Sequence, residues 1–355
     1  MLLIYGANGY TGRLIVERCV ARGLKPILSG RNAEVIQQMA REFGLEARPA
    51  ALDYQRLLDE VLEGITTVLH CAGPFSRTAK VMADSCIRAK AHYLDIAGEI
   101  SVFEMLAARS AEAERAGVML MPGAGFDVVP SDCLAAHLRR LLPRATSLTL
   151  AFYGGTGLSR GTATTMVENV GRGGAVRRDG RITPVPAAYR ERDIDFGDKV
   201  RHAVTIPWGD VSTAFYSTGI PNIEVYTAAT PSTIRVMKLA ERFGWLLSSA
   251  PVQLFLKWRI RSGVSGPSDA QRARASARLW GEASDAAGRV VRSRLATPDG
   301  YTLTALTAVA TAEKCMAGLA KAGFQTPSLA FGADFILEVE GVEREDLIPS
   351  STGTA

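Results

Sequence analysis

A chain of 355 residues exceeds what one small core fills and predicts about two domains. With 47 % hydrophobic and 22 % charged residues it has the balance of a folded globular protein, which excludes a disordered chain. The net charge of +5 is mild and the arginines are spread, with local clusters only at Arg172–Arg181 and Lys257–Arg261, so no nucleic-acid partner is expected. The five cysteines, Cys19, Cys71, Cys86, Cys133 and Cys315, are odd in number and lack metal-ligand spacing. His70, His92, His137 and His202 are isolated. Reduced thiols in a cytoplasmic protein, and no metal site, are therefore expected. The first residues read as a strand without a charged leader or cleavage site, which predicts no signal peptide.

Leu2, Leu3 and Ile4 form an apolar run suited to the central strand of a parallel sheet covered on both faces. Gly6, Asn8, Gly9, Tyr10, Thr11 and Gly12 follow, and a helix is expected from Tyr10 to Ala21. Strand, glycine-rich turn and helix N-terminus in this order form a dinucleotide site, because the turn lets backbone approach a pyrophosphate at the positive end of the helix dipole. The spacing is G-x-x-G-x-x-G rather than G-x-G-x-x-G, so the structural context carries the reading. The second strand, Pro26–Ser29, runs into Ser29, Gly30, Arg31 and Asn32. An NAD-preferring domain would place an acid there for the ribose hydroxyls. The arginine, with Ser29 and Asn32, instead predicts a 2′-phosphate and hence NADP(H).

Strands and helices alternate through about residue 122, a doubly wound α/β pattern. A helix near Ala33–Phe43 leads to a strand at Glu46–Ala50, a helix near Tyr54–Leu62, a strand at Thr66–Cys71 and a helix from Arg77 to Ala89. A strand at His92–Ile96, a helix over Ser101–Ala116 and a last strand at Val118–Met121 complete the layer. Asp53 either approaches the adenine or caps the next helix. Ligands in such a sheet lie beyond the carboxyl ends of the strands. Cys71, Ala72, Gly73, Pro74 and Phe75 are thus candidates for the nicotinamide ribose, and Gly98, Gly125, Phe126 and Asp127 for further cofactor contacts.

Gly6–Gly12, Ser29-Gly30-Arg31, Ala72–Phe75, Tyr93–Glu99 and Gly125–Asp132 together resemble the saccharopine dehydrogenase-like oxidoreductases, in particular the trans-acting enoyl reductase branch. Gly161–Thr165, Arg278–Glu282, Asp299–Thr302, Gly323–Pro327 and Ala330–Gly332 extend the resemblance in family order over most of the chain. It implies a nucleotide-binding domain interrupted by a second domain, with C-terminal helices returning to the first. The expected division is 1–122 for the NADP-binding Rossmann domain and 123–310 for an α+β substrate and dimerisation domain. Helices over 311–348 then return to the first domain, and 349–355 forms a disordered tail.

In the second half Ala145–Tyr153, Ala203–Pro207 and Asn222–Ala228 read as strands. Arg278–Glu282 and Arg289–Ala296 read as a hairpin across Ser284–Gly288, giving a mostly antiparallel sheet. Helices near Thr311–Ala322 and Ser328–Leu337 end the fold. The stretch Phe243–Ile260 is apolar, aromatic at both ends and followed by basic residues, but Pro251, Gln253 and Lys257 interrupt it before a bilayer-crossing length. A dimer contact or a wall of a hydrophobic substrate cleft is the favoured reading, with peripheral membrane contact as the alternative. A homodimer is expected.

The chemistry expected is hydride transfer from NADPH to a polarised double bond, and the resemblance favours an enoyl thioester or related C=C, free or carrier-bound. The alternatives are imine reduction or secondary-amine oxidation, and a non-catalytic NADP(H)-sensing or scaffold role. Candidate proton donors are Tyr93 and Asp95, which share one strand face, Glu99 just past the strand end, and Tyr153 near the domain junction. Asp95 can equally hold its loop through backbone amides. Asp127 and Asp132, which flank a helix start, can equally cap it.

Overall fold

The computed structural model describes residues 1–155, 157–263 and 266–347. The first sheet is built from β1 (Leu2–Tyr5), α1 (Tyr10–Ala21), β2 (Ile27–Ser29), α2 (Ala33–Phe43), α3 (Gln55–Val61), β3 (Thr67–His70), α4 (Phe75–Ala89), β4 (His92–Asp95), α5 (Ile100–Ala107), α6 (Ser110–Ala116) and β5 (Met119–Met121). The chain then crosses to the second sheet through α7 (Val129–Leu141), β6 (Ala145–Gly154), α8 (Arg160–Asn169), β7 (Gly174–Arg178), β8 (Arg181–Val185), β9 (Glu191–Asp195), β10 (Val200–Thr205), α9 (Asp210–Thr218) and β11 (Asn222–Ala228). Three helices follow, α10 (Pro231–Arg242), α11 (Gly244–Leu247) and α12 (Ala250–Gly263), and then α13 (Asp269–Arg274), β12 (Ser276–Asp285) and β13 (Val290–Pro298). The return is made by α14 (Gly300–Met316), β14 (Gly323–Phe324), α15 (Pro327–Phe331), a 3₁₀ turn at Phe335–Glu338 and β15 (Glu343–Leu347).

The first sheet has six parallel strands in the order β14-β5-β4-β3-β1-β2, the doubly wound arrangement expected. Along β1 the side chains alternate between two cores, as the period of two requires. Leu2 and Ile4 pack with Ile15, Val16, Ile36, Ala308 and Val309, whereas Leu3 and Tyr5 pack with Leu58, Met82 and Val102. Direction changes between β1 and β3, which opens the ligand crevice above their carboxyl ends. The second sheet runs β15-β13-β12-β6-β11-β10-β9, with β7 and β8 attached at β11, and only the β6–β11 pair is parallel. One of its faces is covered by α7 and α9 through Leu134, Leu138, Val211 and Ala214.

Several expected elements differ. The strand at Glu46–Ala50 reduces to a single bridge, Leu28 with Ala47, although Arg48 N–H and Ala50 N–H still donate to the β2 side. Pro49 supplies no N–H to its outer edge, so the segment ends the sheet. The helix expected from Thr311 starts eleven residues earlier, because Asp299 accepts the N–H of Thr302 at 2.9 Å and caps α14 at Gly300. The helix expected over Ser328–Leu337 breaks at Gly332, whose φ is +92°. The Ser101–Ala116 helix is two, α5 and α6. Phe243–Ile260 divides into α11 and α12 ahead of Pro251. Among the described residues no helix is long and apolar enough to cross a membrane. The tail from Pro349 lies outside the described residues.

Candidate functional site

The turn after β1 is shaped for close backbone approach. Gly6 has φ +80°, and a Cβ there would meet Ala72 at 2.8 Å, so the first loop and the loop after β3 touch through this glycine. Gly9 caps α1 without a side-chain partner and the first turn carries no acid, which leaves its positive end open to an anion. Asn8 and Gly9 are exposed, and Asn8 lies beside Gly30 at the end of β2. Arg31 is exposed and makes no ion pair among the described residues. Its expected helpers are already committed. Ser29 is fully buried with its hydroxyl donated to the Arg48 carbonyl at 2.7 Å, and the Asn32 side chain accepts the N–H of Val35 to cap α2. Asp53 is exposed, and α3 begins at Tyr54 with no side-chain cap, so the capping role falls away.

A strap from the second half of the chain crosses this loop. The Tyr10 hydroxyl donates to the Pro267 carbonyl at 2.7 Å and accepts from Arg272 Nη1 at 2.8 Å. Its ring meets Tyr301 edge-on at 5.0 Å, and the Tyr301 hydroxyl accepts the N–H of Ser159 at 2.6 Å. The partners are 257 and 262 residues from Tyr10 in sequence, which is why spacing could not reveal them.

Beyond β3, β4 and β5 lie the carboxyl groups. Tyr93 and Asp95 do share a strand face, but both are fully buried. Asp95 accepts the Tyr93 hydroxyl at 2.6 Å and the N–H groups of Ala97 and Gly123 at 2.8 and 2.9 Å. Burial pushes its carboxyl up to about 6, and burial likewise raises the Tyr93 phenol. This pair ties the loops after β4 and β5 together rather than facing the crevice. Tyr153 is also turned away. Its neighbour Phe152 points towards the crevice, so by strand alternation Tyr153 takes the opposite face, where its hydroxyl donates to Asp198 at 2.5 Å under the Arg201 guanidinium. Asp132 is buried and accepts the N–H of Ser328 at 2.7 Å, joining α7 to α15.

Glu99 and Asp127 remain. Glu99 accepts the N–H of Ser76 at 2.7 Å at the start of α4, and burial raises its carboxyl. Asp127 approaches it because residue 98 is glycine, whose Cβ would stand 2.6 Å from Asp127 Oδ2. The N-cap of α7 is Val128 and no side chain caps the helix, so the capping alternative for Asp127 falls away. Its carboxyl has no hydrogen-bond partner among the described residues, and burial, then the nearby Glu99 charge, pushes it up to about 7. The backbone around it is fixed. Phe126 N–H donates to Thr304 at 3.0 Å and the Trp208 indole to the Asp127 carbonyl at 2.9 Å. Trp208 stacks on Phe152 at 4.6 Å and Phe152 meets Phe126 edge-on at 6.0 Å, a partly exposed aromatic wall beside the acid.

The loop after β3 is tied by Thr78, whose hydroxyl donates to the Ala72 carbonyl at 2.7 Å, and Phe75 stands edge-on to His70 at 5.5 Å. Burial pushes the Cys71 thiol far above its ordinary range, which disfavours the thiolate a nucleophile needs.

Residues 2–121, about a third of the chain, match the family described as the saccharopine dehydrogenase NADP binding domain. The first domain is similar to that family over its whole length. Its cofactor is NADP(H), in keeping with the open helix end and Arg31. The human saccharopine dehydrogenase-like oxidoreductase is 26 % identical over 158 residues, 39 % of this chain and 37 % of that protein. The trans-acting enoyl reductase of Mycobacterium bovis (strain BCG / Pasteur 1173P2) is 26 % identical over 151 residues, 39 % of this chain and 35 % of that protein. The matched part thus spans little more than a third of these curated relatives. Apo histidine-tagged saccharopine dehydrogenase (L-Glu forming) from Saccharomyces cerevisiae superposes over 98 % of this chain and 99 % of its own, with a TM-score of 0.66 at 13 % identity. The saccharopine dehydrogenase NADP-binding domain and the second sheet together therefore share that protein's fold.

Proposed function

We propose that the protein is an NADPH-dependent reductase of a polarised double bond, with an enoyl thioester or related conjugated C=C as its substrate class. The observation that carries this reading is Asp127, an unpartnered carboxyl held near pH 7 against an aromatic wall. Bound NADPH supplies the hydride. Asp127 supplies the proton at the carbon next to the carbonyl, and burial, then the charge of Glu99 fixed at the start of α4, hold that proton on Asp127 up to about pH 7. Phe126, Phe152 and Trp208 hold the apolar part of the substrate and keep water away. The trans-acting enoyl reductase among the relatives supports the acceptor class.

A second reading rests on the same acids: Asp127 feels the Glu99 charge and neither carboxyl has an ion pair among the described residues, which suits a protonated imine. Carrier delivery of the substrate, a homodimer and a reducing compartment, which suits five free thiols, belong to the proposal. The test is NADPH oxidation with short and long 2-enoyl thioesters against a panel of cyclic and amino-acid imines. Turnover with the thioesters and none with the imines is expected. Turnover with imines alone would give the site to the second reading, and none with either would leave the sensing role.

A further inference from the structure

We infer that α10, α11 and α12 form a docking face for an anionic lipid bilayer, a reading independent of the reaction proposed above. Eight of the 21 exposed large hydrophobics among the described residues fall between Val236 and Trp258, so they form a patch rather than scatter. On α10, Ile234 turns inward while Val236, Leu239 and Phe243 face solvent. On α12 the outward residues are Leu254, Phe255 and Trp258, at 69, 58 and 58 % exposure, and Trp245 between the helices reaches 76 %. Gln253 and Lys257 face the protein instead, donating to the Val167 carbonyl at 2.9 Å and to Glu168 at 2.6 Å. α12 thus carries apolar side chains outward and is tied to the protein by polar ones.

Charge identifies the occupant. Residues 231–263 hold six basic side chains, Arg235, Lys238, Arg242, Lys257, Arg259 and Arg261, against the single acid Glu241. That net +5 equals the formal charge of the whole chain. Lys238 and Lys257 are paired with Glu191 and Glu168, whereas Arg235, Arg242 and Arg259 are exposed without an ion pair among the described residues. A second copy meeting this face about a two-fold axis would set like charges against each other. An anionic bilayer meets both features, accepting tryptophan and phenylalanine at the headgroup level and cations at its surface. The face also adjoins the crevice: α8, which α12 grips, approaches the start of α4 through Arg77 and Glu168 at 3.9 Å.

The test is co-sedimentation of the full chain with vesicles of phosphatidylcholine alone and of phosphatidylcholine containing phosphatidylglycerol, read also by tryptophan emission. Binding to the anionic vesicles, weakened by salt and accompanied by a blue shift, is expected. Arg242→Gln and Arg259→Gln should each lower partition about fivefold. Trp245→Ser with Trp258→Ser should lower it about tenfold or more and abolish the shift. Unchanged NADPH binding by each variant shows that it is folded, and the wild-type comparison of the two vesicles stands without any variant. No wild-type binding to anionic vesicles, equal binding to both vesicles, or conversion of a dimer to a monomer by the tryptophan substitutions would each overturn the inference.

Discussion

Asp127→Asn separates the cost of the acid from its use. The Asp127 carboxyl rises from an ordinary 3.8 to about 7 because the folded state buries it beside Glu99. A folded-state pKa above the unfolded one means that the native state holds this proton more tightly. The favourable contribution is present at low pH and is lost as pH rises from about 4 through about 7. A shift of about three units corresponds to at most about 4 kcal/mol. With unfolding entropy of about 2.1 cal/mol/K per residue over 355 residues, that is about 5 °C in melting temperature. Asparagine keeps the shape and carries no charge, so the melting temperature of the variant relative to wild type should rise by about 3 °C between pH 5 and pH 8.5, and by up to about 5 °C over the whole span from about pH 4. Its reductase activity should fall by about 10² or more, while wild-type kcat/KM should decline about tenfold per pH unit above about 7. Scanning fluorimetry across pH, with initial rates on the preferred acceptor, reads both. A melting difference independent of pH, or a variant with full activity, would refute the role given to Asp127.

Arg31→Ala should weaken NADPH by about 10- to 100-fold, the worth of charge-assisted hydrogen bonds to a phosphate, and leave NADH nearly unchanged in calorimetric titration. An equal loss for both cofactors would remove Arg31 from the phosphate site. Arg272→Ala breaks the bond to Tyr10 and should both raise the NADPH dissociation constant by about 2- to 10-fold and speed proteolysis near residues 267–274; unchanged cleavage would show that this segment is not held by that bond. His70 is fully buried among Tyr5, Phe75 and Tyr93, with neither ring nitrogen paired among the described residues, and burial holds it neutral, down to about 3. Its lowered pKa removes stability as pH falls from about 6.5 towards 3. His70→Phe should therefore resist acid better than wild type in urea unfolding at pH 4.5, and identical acid profiles would contradict the assignment.

The first sheet was legible because its information is local. Leu2–Ile4 before Gly6 and the alternation through Met121 each fix an element from a few neighbouring residues. The position of Arg31 just past the end of β2 was legible for the same reason. The acid was harder. Asp127 is adjacent to a helix start, so capping and catalysis give the same sequence signal, and the absence of a side-chain cap on α7 removes the first without testing the second. Tyr153 and Phe152 are neighbours on β6, and sequence alternation shows that they take opposite faces without showing which one meets the crevice. The aromatic wall joins Phe126, Phe152 and Trp208, and the strap joins Tyr10 to Pro267, through contacts made only once two distant elements pack. Most of the short strands and helices between α8 and α10 escaped notice, because their burial alternates weakly and the β7–β8 arm pairs mainly with itself.

The most direct test of the proposed reaction is a single turnover of enzyme-bound NADPH, deuterated at the transferable position, with a 2-enoyl thioester, followed by mass spectrometry of the product. The account predicts deuterium at the carbon beyond the thioester's neighbour and a solvent-derived proton next to the carbonyl. Retention of deuterium on the cofactor, with the thioester unchanged while NADPH binds normally, would contradict it.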